Sequence, residues 1–346
     1  MTPLKASRIL TAWLLGLTLV VIALGGLIRI YDAGESCPDW PTCFGTWGFD
    51  ITAEEQGEWY SENPSEIDSR GSGHRYSTFQ IFTEWSHRLL AGAILGPLVL
   101  ANWLSLRKQE EASAQARFAS TLTVILIIWQ GAIGWLTVEM DNLHWSVALH
   151  LSSALAFTMS MVWLWLCLSK IEGKLPDWIR FNSELSKKWE LIVASLTMGV
   201  FFSLFSGTFV STTPGANSGC GVDGFPDSWP QCDGNFLSGL EDVVSQSQMI
   251  HRWIVGVVFI SMIYSSFRIW KDSQKDSKPF LRNWIWVATA MFAINSVIGA
   301  TYILSWNLEE GFLELLSLVH LMMASLCFLV LATAWIGCKV SEDELI

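Results

Sequence analysis

The chain has 346 residues, of which 51% are hydrophobic and only 15% charged. That balance excludes an ordinary soluble domain and a disordered chain, and it points to a polytopic membrane protein. A formal net charge of −11 also argues against a nucleic-acid ligand.

A bilayer crossing takes about 20 apolar residues. Eight segments meet that length, at roughly 9–30, 79–104, 118–138, 144–169, 190–211, 246–269, 282–304 and 312–337. The predicted class is all-α. The first segment, uncharged from Ile9 to Ile28, is longer than a secretory core, and the sequence after it recurs later in the chain. It therefore reads as a retained span rather than a cleaved signal. Many of the 20 tryptophans fall near span ends and suit interfacial belts.

Orientation follows from the basic residues. Alternate connections carry most of the 21 lysines and arginines, from Lys5 and Arg8 through Arg107, Lys170 and Lys188 to Lys339. The positive-inside rule puts these segments, and both termini, in the cytoplasm or a mitochondrial matrix. The expected location is a prokaryotic plasma membrane or the mitochondrial inner membrane.

The sequence repeats. "GGLIRIYDAGESCPDWPTCFG" (25–45) matches "SGTFVSTTPGANSGCGVDGFPDSWPQCDG" (206–234), and "EWSHRLLAG" (84–92) matches "QMIHRWIVG" (248–256). "LHWSVALHLSSALAF" (143–157) matches "LELLSLVHLMMASLCF" (313–328). The expected architecture is two tandem four-helix bundles, 1–170 and 189–346, joined by a cytoplasmic linker over 171–188. Both start on the same side, as a parallel pseudo-twofold repeat.

Four histidines fall inside spans. His87 and His150 each lie several residues into a helix entered from outside, near 10 Å below the outer surface at 1.5 Å per residue. His251 and His320 repeat that depth. Two histidines at matched depth on two helices of a four-helix unit can clamp a heme iron from both faces. The plainer alternative is a hydrogen-bonded interhelical histidine. Zinc is a weaker fit, since neither half adds a cysteine at that depth. His74 and His144 read as surface residues.

Cys37 and Cys43 share the first outer loop, and Cys220 and Cys232 its copy. On the oxidising side an intraloop disulfide is the expected state, as a structural staple or as a redox-active pair. Cys167, Cys327 and Cys338 fall in or near spans and read as small apolar residues. Arg88 and Arg252 each follow a histidine. They could fork onto heme propionates directed outward, or snorkel to lipid headgroups. Glu84 breaks the symmetry. It lies one turn outward of His87 on the same face, and its counterpart is Gln248, which cannot carry charge or a proton. A salt bridge to Arg88 is the plainer account of it.

At these residues the chain resembles the heme A synthase family. The resemblance spans nearly the whole sequence and rests on "CPDWPTC" (37–43), "EWSHRL" (84–89), His150 in "VALHLSSALA", and the copies holding His251 and His320. It implies a heme b in the C-terminal half, with His251 and His320 as axial ligands, and a heme O substrate site in the N-terminal half, served by Glu84, His87 and His150. It implies conversion of heme O to heme A by two hydroxylations of the C8 methyl, the gem-diol losing water to leave a formyl group. Both cysteine pairs match the family's disulfide loops in position. The acidic loop near 46–78 and the enlarged second cysteine loop depart from the pattern.

The implied partners are heme O, heme A and the bilayer, with heme O synthase (protoheme farnesyltransferase) and a terminal oxidase as candidate neighbours; homo-oligomerisation is open. The residues alone also fit a diheme b-type electron-transfer cytochrome acting on quinol, or a membrane thiol oxidase. Glu84 against Gln248 weighs against the cytochrome, and the histidines weigh against the oxidase.

Overall fold

The computed structural model describes residues 2–237, 242–306 and 311–342. Among these, eight helices are long and apolar enough to cross a membrane. In chain order they are α1 (Pro3–Ile30), α3 (Thr78–Arg107), α4 (Ala114–Glu139), α5 (His144–Ile171), α6 (Ser183–Thr212), α7 (Val243–Asp272), α8 (Phe280–Leu304) and α9 (Glu314–Glu342), with a short helix α2 (Ala53–Glu62) in the first outer loop. The eight spans expected from hydropathy are all present, each extended by a few residues at its polar ends.

Local sequence sets where these helices begin. The Thr2 hydroxyl accepts from the Lys5 amide, with Pro3 in the first turn. Thr52 with Glu55 and Ser77 with Gln80 form capping boxes that start α2 and α3. Ser113, Asn182 and Asp242 cap α4, α6 and α7.

Helix α3 is irregular. Residues Leu89–Leu95 wind as a π-helix, and the Gly96 amide donates five residues back to the Ala91 carbonyl. Pro97 follows at once. Its ring has no N–H and would crowd the carbonyl four residues earlier, so the regular ladder cannot run through it. Helix α7 is continuous over the matching stretch.

In the first half α1 and α4 each pack against both α3 and α5; in the second, α6 and α8 each pack against both α7 and α9. The halves meet through α5 on α6 and α9, and α1 on α9. Helix α5 is therefore central: 61% of its apolar window is buried, against 22–39% for the other spans.

The stretch expected to be a polar linker contributes to the core at the end of the bundle away from the cysteine loops. Leu175, Ile179 and Phe181 pack with Trp189, Ile269 and Ile285. The acidic first loop likewise has a core of its own, in which Phe44, Ile51, Tyr60, Tyr76 and Ile81 surround the Cys37–Cys43 disulfide. In water each such fully buried side chain is worth about 1.5–3 kcal/mol, which lets a loop of this composition fold as a cap.

Candidate functional site

The structure brings the span histidines together in pairs. The rings of His87 on α3 and His150 on α5 have centroids 6.4 Å apart, inclined at 64°. Those of His251 on α7 and His320 on α9 are 6.5 Å apart, inclined at 84°. Two metal–imidazole bonds of about 2 Å each, plus roughly 1 Å from each nitrogen to its ring centre, give a gap of about 6 Å. Both pairs therefore fit an iron ligated from two sides. Among the described residues no three His, Cys, Asp or Glu side chains converge as a closed metal cage would need.

Each ring lies against a glycine of a neighbouring helix. A Cβ on Gly25 would stand 3.6 Å from His87 Nε2, and one on Gly134 would stand 3.2 Å from His150 Cε1. On Gly207 it would come within 3.0 Å of His251 Cε1, and on Gly299 within 2.8 Å of His320 Cε1. These glycines were not singled out in the sequence. Their only signal was a small residue one or two turns before the outer end of the neighbouring span, which bundle helices often carry for packing alone.

The second-half rings are further fixed. The Ser206 hydroxyl lies 3.0 Å from His251 Nδ1 and donates its own proton to the Ser203 carbonyl at 3.0 Å. With that proton on the Ser203 carbonyl, the hydroxyl accepts from the ring, which is the His251 tautomer that leaves Nε2 bare. The Asn295 carbonyl, 2.9 Å from His320 Nδ1, imposes the same tautomer. A bare Nε2 with the other nitrogen tied is the form that binds a metal. In the first half, His150 Nδ1 is buried without a partner.

Glu84 is buried among groups that can donate to it. Its Oε2 accepts from the Ser36 hydroxyl at 3.0 Å and the Cys37 amide at 2.9 Å. Its Oε1 accepts from Arg88 Nη2 at 2.5 Å. The expected salt bridge to Arg88 exists, but as part of a tie to the disulfide loop. Arg88 itself donates to the carbonyls of Cys37, Asp39 and Thr42. Arg252 makes a thinner version of this arrangement, with the Gln231 carbonyl and Gln248 Oε1. Gln248 Nε2 in turn donates to the Ala216 carbonyl. Both arginines thus hold their loops, Arg88 through three main-chain carbonyls and Arg252 through one.

Both cysteine pairs are bonded, Cys37 with Cys43 and Cys220 with Cys232, and each loop closes with a matching bridge, Cys43 to Thr46 and Cys232 to Asn235. Cys167, Cys327 and Cys338 are buried, as apolar residues would be. His74 and His144 are less exposed than expected. His74 packs edge-on against Tyr76, and His144 against Phe209.

Residues 8–332 match the COX15-CtaA family model, described as cytochrome oxidase assembly protein. Similar relatives are heme A synthases. One from Erythrobacter litoralis is 25% identical over 352 residues, 92% of this chain and 93% of its own. One from Shouchella clausii is 26% identical over 341 residues, 95% and 96% of the two chains. One from Shewanella oneidensis is 34% identical over 158 residues, 44% of each.

The chain belongs to the heme A synthase family. Membership of this family makes it an oxidoreductase, and the eight apolar helices make it an integral membrane protein. The identities set the scale of the match: about a quarter of positions are identical, so residue roles have to be argued from this chain's own geometry.

Proposed function

We propose that the chain oxidises the C8 methyl of heme O to a formyl group, yielding heme A, with the substrate between His87 and His150 and a resident heme b between His251 and His320. The observation that carries this reading is the pairing of like with unlike. Two histidine pairs stand at almost the same gap, but only the pair in the first half has a carboxylate one turn above it. Two hemes serving electron transfer alone would need no such difference.

The residues have separable tasks. His87 and His150 hold the macrocycle so that one methyl edge faces a chosen wall. Glu84 stands near that wall as an acceptor with a fixed direction. Its three partners all donate to it, which suits a held negative charge, stabilising an electron-poor carbon, better than a mobile proton carrier. Heme b, when bound, supplies one-electron chemistry at the other pair. The shared ring order of helices, the matched loop bridges and the sequence repeat support two tandem halves. The run of basic residues supports both termini on the inner side.

The test is to express the chain with a source of heme O, extract the hemes and separate them by chromatography. Heme A should appear. Heme O unchanged beside a full complement of heme b would support the electron-transfer cytochrome instead.

A further inference from the structure

The two histidine pairs are held differently, and we infer that this difference decides which half keeps its heme and which exchanges it. The inference rests on the assignment of halves above. In the second half the Ser206 hydroxyl and the Asn295 carbonyl each stand at hydrogen-bond distance from the Nδ1 of a ring, at 3.0 and 2.9 Å. Such outer partners fix a ligand's tautomer and orientation and raise its basicity, and losing one typically weakens metal affinity about 10–100-fold.

The first half lacks both devices. Among the described residues nothing hydrogen-bonds the His87 ring, and His150 Nδ1 is buried alone. Gln130, four residues before Gly134 as Asn295 is before Gly299, directs its amide to the His150 carbonyl and the Ser153 hydroxyl, and so holds backbone rather than ring. The repeat aligns Gly25 with Ser206, so the hydroxyl has no counterpart beside His87. His87 also turns its Nε2 edge to Gly25, where the other three rings turn Cε1 to their glycines.

A cofactor that stays through many turnovers gains from rings that cannot swing. A substrate that arrives as heme O and leaves as heme A needs rings that can release it. Ser206 and the Asn295 carbonyl are thus retention devices, positioning the ligands of the resident heme. Their absence beside His87 and His150 is the feature that lets heme exchange there.

The experiment uses the purified full-length protein from cells making heme O, with heme release followed spectroscopically against excess apomyoglobin. Ser206→Ala should release heme b about 10–100-fold faster than wild type, and Ser206→Thr, which restores the hydroxyl, should return most of the difference. In the wild-type protein, heme at the first-half site should leave faster than heme b. Wild-type release from Ser206→Ala overturns the inference, and so does equal release of heme from the two sites of the wild-type protein. His251→Ala separates the two levels. If it keeps all its heme b, the assignment of halves is wrong; if it loses heme b while Ser206→Ala releases like wild type, only the retention idea falls.

Discussion

Glu84 and Cys37 are joined directly: the Cys37 amide donates to Glu84 Oε2 at 2.9 Å, so the disulfide loop and the helix bearing His87 share one anchor. The carboxylate that distinguishes the two halves is therefore placed by a covalently closed loop.

Glu84→Gln copies the second half and tests this. An amide must turn its NH2 toward either the Cys37 N–H or Arg88, and both are donors. Heme O should still bind, since His87 and His150 remain. Conversion should fall by roughly 10²-fold or more if the group is used in the chemistry, with heme O, the hydroxylated intermediate and heme A extracted from cells and compared. Wild-type amounts of heme A would leave Glu84 as a loop anchor only.

The disulfide can be tested apart from the carboxylate. Cys37→Ala with Cys43→Ala should lower the stability of the cap by about 2–3 kcal/mol on the loop-closure scale, read as a lower unfolding temperature in detergent, with part of the activity kept. Complete loss of activity at unchanged stability would instead point to a redox role for the pair. Mass spectrometry of unreduced peptides should show Cys37–Cys43 and Cys220–Cys232.

Loss of either second-half ligand should empty one site only. His251→Ala and His320→Ala are expected to lose most heme b, and His87→Ala to keep it, as measured by the pyridine hemochromogen spectrum of purified protein.

The glycines give a steric test. An alanine at Gly299 would place its Cβ 2.8 Å from His320 Cε1, inside any normal contact. Overpacking of this kind costs about 1–3 kcal/mol. Gly299→Ala should shift the heme b spectrum and lower its content, whereas Gly134→Ala should leave heme b intact and reduce conversion of heme O. Equal effects of both on heme b would contradict separate sites.

Glu35 sets a pH dependence in the cap. Burial holds its carboxyl above the usual carboxylate range, although the Asn142 amide and the Arg70 charge pull it down. Folding thus favours the protonated form. The stability this brings is complete below the ordinary carboxylate pKa and is lost as pH rises through the higher folded value. Glu35→Gln, which keeps an acceptor for Asn142, should make the cap more resistant than wild type near neutral pH, and the gap should close as pH falls toward about 4. Limited proteolysis of the loop across that range would read it.

The spans, the four histidines and the cysteine pairs were legible because each is a matter of composition or spacing within one segment. The salt bridge between Glu84 and Arg88 was legible too, but what else they touch was not. Their partners, Ser36 to Thr42, are some 46 to 51 residues away in sequence, and only the folded loop brings carbonyls and amides to them. The linker misled in a similar way. Its basic residues face outward, while Ile179 and Phe181 complete a core that no local pattern announces. The glycines and Ser206 were hidden by their ordinariness, since a small residue in a bundle helix has many reasons to be there.

Helix α3 is pinned twice. At one end Glu84 and Arg88 fix it to the disulfide loop; toward the other, the Asn102 amide donates to the buried Thr11 hydroxyl of α1 at 2.9 Å. A regular helix turns about 100° per residue, so two anchors 14 or more residues apart can be met together only at certain registers. The π segment between them, Leu89–Leu95, works as a vernier: one surplus residue lets one end answer to the loop and the other to α1. A descendant of this chain that deleted that residue would have to surrender one anchor. Helix α7, continuous throughout, has no such joint, so its two ends share one fixed register.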